Sequence, residues 1–358
     1  MIDESFYPTL PDVKKITVLR PNAVGDFVFA LPALHALRHA YPHAEIVYIG
    51  KQWHVDFLDG RPGPIDRVEV LPPCPGVGAA TDAQIDERAL QRFVDRMHDA
   101  AFDIAIQLYG GGRYSNPFIK RFDARLTIGL KSHDAPPLDR TINFDGWHNR
   151  RLQLLEVAAL AGADTLRLQR ELQVTDKDRR RATRAIPVDL QLPLVLIQPA
   201  ASDRRRCWPP KNFAAVADAL AHEGALVAIN GTRPEMPIVQ QVIEHMHYPA
   251  IALSGDLSLS GLCGLLERAA LLVANDTGPL HLALAIGTPC VGIYWFTNFL
   301  ESAPLRQHAH RAALSTRIDC PVCSMPNLTA RCEHDVSFVA DVGIEEVTEK
   351  AIELFRMR

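Results

Sequence analysis

The sequence of 358 residues has no apolar run approaching the roughly 18 residues that a membrane-spanning helix needs. It also lacks a strong charge of one sign. The formal net charge is −4, which excludes a general nucleic-acid binder, since such a protein presents a basic surface. No Gly-x-Gly-x-x-Gly follows the first strand-like segment, which argues against a dinucleotide-dependent dehydrogenase. Low-complexity segments are absent. Met1-Ile-Asp-Glu-Ser-Phe-Tyr7 has no basic region leading into an apolar core, so no secretory leader is expected. Cysteine is scarce and odd in number, at seven. Cys74, Cys207, Cys263 and Cys290 are scattered, as suits reduced thiols rather than a disulfide framework, and a cytoplasmic location is expected.

The composition that remains is that of a soluble globular protein, 47% hydrophobic and 22% charged, and the length suffices for about two domains. Strand and helix patterns alternate through the chain. Ile16–Leu19 reads as a buried strand, followed by a helix over 27–40 with Phe27, Leu31, Leu34 and Leu37 or Ala40 on one face and Pro32 as a kink. Strands are expected at 45–49 and 103–108, an irregular Pro/Gly-rich loop at 61–78, and a helix at 152–160. The charged stretch 176–184 reads as a solvated helix face near a domain junction. Beyond it the pattern restarts, with strands at 194–197, 225–229, 271–274 and 290–294. Helices are expected at 212–222, 236–245, 262–270, 279–286 and 343–356.

Such alternation predicts an α/β fold with parallel sheets, and the restart predicts two of them. The expected division is an N-terminal domain over 1–180, a C-terminal domain over 181–342, and a closing helix over 343–358 that packs back on the N-terminal domain. Ligands in open parallel sheets bind beyond the carboxyl ends of the strands. Two such sheets facing each other would share one cleft.

Polar residues gather at those strand ends. Asn275-Asp-Thr-Gly-Pro-Leu-His281 lies between a buried strand and a helix. Asp276 or Thr277 can cap that helix with Pro279 in its first turn. The same free amides and helix dipole would favour a phosphate, with Gly278 allowing close approach and His281 about one turn in. Gly25-Asp26 opens the first helix. Asp26 is either its cap or a carboxylate able to take a proton from an alcohol. Arg204-Arg-Arg206 follows another strand. The triplet is either a solvated face or a diphosphate contact, for which the guanidinium fork is suited. Gly231-Thr-Arg-Pro-Glu235 is a turn or a nucleotide-lining loop, with Glu235 within reach of ribose hydroxyls. Cys320, Cys323, Cys332 and His334 match a four-ligand structural metal set in residue type, or hold nothing.

In this order the motifs resemble the family 9 glycosyltransferases, the ADP-heptose:lipopolysaccharide heptosyltransferases and their relatives. Ile16–Leu37, with Arg20, Gly25-Asp26 and Leu31-Pro-Ala-Leu34, is similar to the family's opening segment. Asp103–Gly112 is similar to its acceptor-side strand and loop. Gln198-Pro-Ala-Ala-Ser202 followed by Trp208-Pro-Pro210 is similar to its donor-phosphate segment. Asn275–His281 with Ala283 and Gly287-Thr-Pro289 is the most specific match.

The resemblance implies two Rossmann-like domains with parallel sheets facing across a cleft, a B-type glycosyltransferase fold. The N-terminal domain would hold the acceptor and the C-terminal domain the nucleotide-sugar. It implies inverting transfer of a sugar, heptose from ADP-heptose, to a hydroxyl of a lipopolysaccharide-type or other glycan or glycolipid, with no cofactor required for catalysis. Asp26 would be the catalytic base. Ser202, Arg204, Arg206, Gly231, Glu235, Asp276, Thr277, Gly278 and His281 would bind the donor. Arg20, Asn22, Tyr109, Gly111 and Arg113 would lie on the acceptor side. Arg206 stands where the family has a phosphate-binding Lys. The family's further Cys has no counterpart near Ser337-Phe-Val339, so a metal at Cys320, Cys323 and Cys332 would need His334 or water. Contact with the inner face of a membrane would be peripheral at most. The alternatives are a catalytically idle nucleotide-sugar-binding partner and a sugar-nucleotide epimerase.

Overall fold

The computed structural model describes residues 7–144, 146–164, 171–187, 192–255, 257–306, 308–328 and 331–357. Residues 1–6 of the N-terminal reading therefore lie outside the described residues. The chain divides into two compact units, Met1–Glu171 and Leu172–Arg358.

In the first unit, strands and helices alternate as β1 (Lys15–Leu19), α1 (Val24–Ala40), β2 (Glu45–Gly50), α2 (Gln52–Leu58) and β3 (Arg67–Val70). A small ribbon of β4 (Cys74–Pro75) and β5 (Gly78–Ala79) follows. Then come α3 (Glu87–Asp99), β6 (Ile104–Gln107), α4 (Ser115–Lys120), β7 (Leu126–Lys131), β8 (Arg140–Asn143) and α5 (Arg150–Ala159). Among the described residues the main sheet has six parallel strands in the order β3-β2-β1-β6-β7-β8. Its central strands are buried along nearly their whole length, because helices cover both faces of a parallel sheet. The loop expected over 61–78 contains the edge strand β3 and β4. α3, not expected from the sequence, buries Leu90, Phe93, Val94 and Met97 at helical spacing.

The second unit runs α6 (Asp176–Ala185), β9 (Leu194–Gln198), α7 (Pro210–His222), β10 (Leu226–Thr232), α8 (Met236–His245) and β11 (Ile251–Gly255). It continues with α9 (Leu259–Arg268), β12 (Leu271–Asn275), α10 (Gly278–Ile286), β13 (Cys290–Trp295), α11 (Phe296–Ser302), β14 (His310–Ser315) and α12 (Ile344–Arg356). Its sheet has the order β11-β10-β9-β12-β13-β14, again parallel among the described residues. The two sheets thus repeat one topology, in which strand order reverses beside the first strand. That reversal opens a crevice at the carboxyl ends of β1 and β6 in one unit and of β9 and β12 in the other.

Two boundaries differ from expectation. The division falls before α6, not at 180/181, because α6 packs on α9. Gly264 of α9 has no side chain, and a Cβ there would collide with the Asp178 carbonyl. The closing helix, expected on the N-terminal domain, is built into the second unit's core. Val347, Ala351, Leu354 and Phe355 are buried there with Trp208, Phe213 and Val216. Among the described residues no helix is long and apolar enough to cross a membrane.

Trp208 joins this core to the site. Its ring meets Phe213 edge-on at 5.1 Å, and its indole N–H donates to the Val342 carbonyl at 3.0 Å. Trp208→Ala should destabilise the second unit by about 3–5 kcal/mol, read as a lowered urea midpoint. An unchanged midpoint would contradict this packing.

Candidate active site

In the first unit, β1 delivers Arg20 and the chain turns into α1. Ala23 occupies the N-cap of α1 and makes no side-chain cap. Asp26 therefore sits inside the first turn and is not the cap, which corrects the capping alternative. The Arg20 guanidinium closes on it. Nε donates to the Asp26 carbonyl at 2.7 Å and Nη2 to Oδ1 at 3.1 Å, while Nη1 donates to the Leu108 carbonyl. The buried Tyr48 hydroxyl donates to the Arg20 carbonyl at 2.7 Å, and burial raises that phenol's pKa. The Arg20 side chain is 6% exposed and that of Asp26 38%. One carboxylate oxygen is thus gripped by a buried cation while the group as a whole stays accessible. Arg20, expected on the acceptor side, is committed to Asp26.

The other expected acceptor-side residues lie in the same unit. The Asn22 N–H donates to the Arg20 carbonyl at 2.9 Å, and its Oδ1 is buried with no hydrogen-bond partner among the described residues. The loop after β6 is pinned from behind. Buried Gln107 and Ser115 donate to the Tyr109 carbonyl, and Ser132 N–H donates to the Gly111 carbonyl at 2.7 Å. Arg113 is exposed, 3.4 Å from Asp134. Because β1 and β6 are neighbours, both loops flank the crevice.

In the second unit the loop after β9 meets the turn after β12. Asn275 ties them together. Its Nδ2 donates to the Pro199 carbonyl at 2.7 Å, and its Oδ1 accepts from Trp208 N–H at 3.0 Å. Asp276 is buried. His281 Nε2 lies 2.9 Å from its Oδ1, and Ser302 Oγ donates to the same oxygen at 3.1 Å. Arg206 Nη1 donates to the Asp276 carbonyl at 3.2 Å and to Oδ2 at 3.4 Å, while Nη2 donates to Ser202 Oγ at 3.0 Å. Burial works to raise the Asp276 pKa, but the His281 hydrogen bond, its charge and that of Arg206 outweigh burial and hold the carboxyl below its ordinary value. Thr277 is the N-cap of α10, yet its side chain makes no capping bond. Its side chain therefore leaves the first amides of that helix, those of Gly278 and Leu280, uncapped, and Pro279 has no N–H.

Ser202, Arg206, Asp276, Thr277, Gly278 and His281 thus converge. Ser302, on α11, joins them from a segment with no recognisable motif. Arg204 is exposed and turns toward Asp335 at 3.9 Å. Arg205 pairs with Asp203 at 2.6 Å. Gly231 is the penultimate residue of strand β10, and Glu235 accepts the Thr232 N–H at 2.8 Å, so its carboxylate caps a turn.

The cysteine set also comes together in the second unit. Ligand atoms of Cys320, Cys323, Cys332 and His334 lie within 4.8 Å of one another. Val322 N–H approaches Cys320 Sγ at 3.5 Å and Asn327 Nδ2 approaches Cys332 Sγ at 3.5 Å, donors that suit thiolates. The Asn327 amide leads the causes that hold the Cys332 thiol down to about 6. His334 Nδ1 is buried without a hydrogen-bond partner among the described residues. Three sulfurs and an imidazole fit a tetrahedral structural metal, so the cluster can hold a metal ion.

Asp276→Asn keeps the shape of the Arg206–Asp276–His281 network but removes its charge. We expect a loss of about 3 kcal/mol at neutral pH, the lower end for breaking a buried pair, because Arg206 keeps 22% of its side chain exposed. A carboxylate with a depressed folded pKa stabilises above its unfolded value and loses that contribution as pH falls through the folded one. The melting temperatures of variant and parent should therefore converge in acid. Equal melting temperatures at pH 7 would contradict the network.

Comparison with known proteins places these features in a family. Residues 90–327, more than half of the chain, match the profile of glycosyltransferase family 9 (heptosyltransferase). The sequence is 23% identical over 307 residues to the lipopolysaccharide core heptosyltransferase OpsX of Haemophilus influenzae, covering 81% of this chain and 82% of the relative. The fold is similar to a family 9 glycosyl transferase of Veillonella parvula, with a TM-score of 0.77 and 19% identity over 96% of this chain and 98% of the other. It is also similar to the ADP-heptose lps heptosyltransferase II of E. coli, with a TM-score of 0.73 and 16% identity over 96% and 99%. A B-type pair of Rossmann-like units, an ion-paired carboxylate at one crevice and an arginine-lined helix start at the other agree with that match: the chain is a glycosyltransferase and belongs to family 9, the heptosyltransferases.

Proposed function

We propose that this enzyme transfers heptose from ADP-heptose to a hydroxyl of a lipopolysaccharide-type acceptor, with inversion, at the cytoplasmic face of a membrane. The observation that carries the reading is Arg206, half-buried against Asp276 beside the uncapped start of α10. A guanidinium and free helix amides together make a diphosphate site.

Chemistry divides between the units. On the first, Asp26 takes the proton of the acceptor hydroxyl while that oxygen forms a bond to the anomeric carbon. Arg20 is a positioning residue. It fixes the rotamer of Asp26 through Oδ1 and the backbone carbonyl, which leaves the carboxylate able to accept at its other oxygen. On the second, the anomeric carbon–oxygen bond breaks and its electron pair passes to the diphosphate. Arg206 and the Gly278 end of α10 meet that charge where it develops, which is where preorganised donors lower a barrier. Asp276 keeps Arg206 aimed, and His281 and Ser302 keep Asp276 ionised and still. Ser202 holds the second arm of the guanidinium. The loop at Tyr109, Gly111 and Arg113 is assigned to binding the acceptor. Glu235, Gly231 and Arg204 are assigned to the nucleotide side of the donor.

Metal is assigned a structural role, at Cys320, Cys323, Cys332 and His334. When bound, it supplies a crosslink between loop segments and no Lewis acid at the reacting carbon. Family membership favours transfer over epimerisation, and an accessible, oriented Asp26 favours an active enzyme over an idle binder.

Asp26→Ala should bind ADP as the parent does and lose transfer from ADP-heptose by at least about 100-fold, the usual scale of a general base. Calorimetry with ADP and a transfer assay on truncated lipopolysaccharide check both arms. Near-normal transfer by the variant would reject the base. Parent enzyme that turns over a UDP- or GDP-sugar in place of ADP-heptose would reject the donor.

A further inference from the structure

The segment between β14 and α12 carries the cysteine cluster, and it has little regular structure of its own. Among the described residues its only strand-type pairing is the isolated Asp319–Pro326 bridge. It is nevertheless bolted to the loop that bears the arginines. Phe338 N–H donates to the Arg205 carbonyl at 2.8 Å, and Asp335, next to His334, lies 3.9 Å from Arg204. The Trp295 indole donates to the Arg317 carbonyl at 2.6 Å and packs on Phe338 at 4.9 Å, while the Arg205 guanidinium lies over that indole at 5.8 Å. Trp208, at the end of the arginine loop, donates to the Val342 carbonyl. The contacts thus run from the cluster, through Asp335, Phe338 and Trp295, to the Arg205 carbonyl and the side chains of Arg204 and Arg205.

We propose that a metal ion at Cys320, Cys323, Cys332 and His334 clamps the Arg204–Arg206 loop, so that metal occupancy sets the affinity for the donor diphosphate. The proposal rests on the donor-site reading above. A loop that is ordered by few backbone bonds pays its ordering cost when it must grip a ligand. A four-ligand crosslink pays that cost beforehand, because metal binding is itself folding free energy. Arg206 then presents its guanidinium to the diphosphate from a fixed backbone. The ligand set, three sulfurs and an imidazole, selects zinc or iron rather than magnesium or calcium.

The linkage works in both directions. If metal tightens ADP, ADP must tighten metal by the same factor. The test uses the full-length protein as isolated, the same protein stripped by a chelator, the stripped protein reloaded with zinc alone, and Cys323→Ser, whose site is exposed and whose loss spares the core. Metal content is read by elemental analysis, ADP affinity by calorimetry, and the order of residues 202–208 by amide hydrogen exchange.

We expect about one metal per chain and ADP binding roughly tenfold weaker without it, within the range of ordinary coupling between sites. Exchange at 202–208 should be faster in the stripped protein, and zinc should restore both. Equal ADP affinity and equal exchange with and without metal would overturn this proposal alone. A chain that retains no metal and takes up no zinc would overturn it too. Failure of the metal-loaded protein to bind ADP would remove the donor-site reading, and this proposal with it.

Discussion

The buried carboxylate of Asp276 is the constraint on which the proposed donor site depends. A carboxylate enclosed by protein is costly unless charge and hydrogen bonds surround it. Here Arg206, His281 and Ser302 do so, from three separate elements, and the Asp276 backbone carbonyl takes a further Arg206 hydrogen bond. Satisfying that one group fixes the β9 loop, the start of α10 and the end of α11 relative to each other. What remains unsatisfied is the helix start itself, since Thr277 leaves its amides uncapped. The arrangement thus balances its own negative charge and leaves donors for a ligand's.

The first unit solves the opposite problem with the same parts. There the cation is buried and the carboxylate accessible. Arg20 lies under the sheet end, anchored to the Leu108 carbonyl and supported by Tyr48, and it holds Asp26 by one oxygen. In both units the pair sits where the strand order reverses, beside the first strand and its neighbour. A base needs access to its proton. A phosphate site needs access to its donors. The exposed partner in each pair is the one that the proposed chemistry uses.

Much of this was legible in the sequence. Most central strands were visible because parallel strands buried on both faces read as continuous apolar runs, as in Leu194–Ile197 and Leu271–Ala274, but β7 was not, since Thr127 and Gly129 interrupt its apolar run. Edge strands were not: β3 is Arg67-Val-Glu-Val70 between prolines, and β8 is polar, since an edge half in solvent carries no apolar run. α3 did carry a readable signal in Leu90, Phe93, Val94 and Met97, whose spacing marks one helical face. At the site, Asp26, Arg206, Asp276 and His281 were found as residue types at strand ends. Their pairings were not, because Arg20 with Asp26 and Arg206 with Asp276 depend on rotamers and on which loop meets which. Ser302 left no trace, for a serine at the end of an ordinary helix acquires its role only through the position of α11. The end of the first unit was misplaced because α6 reads as a solvated helix, whereas Ala182 and the backbone at Asp178 rest against Gly264.

The most direct test of the central claim is a crystal structure with ADP bound. The account predicts diphosphate oxygens about 3 Å from the Arg206 guanidinium and from the Gly278 amide, the ordinary length of such hydrogen bonds, with Asp276 still held by His281 and Ser302. A diphosphate bound elsewhere, with Arg206 closed on Asp276 and the start of α10 touching only solvent, would contradict it.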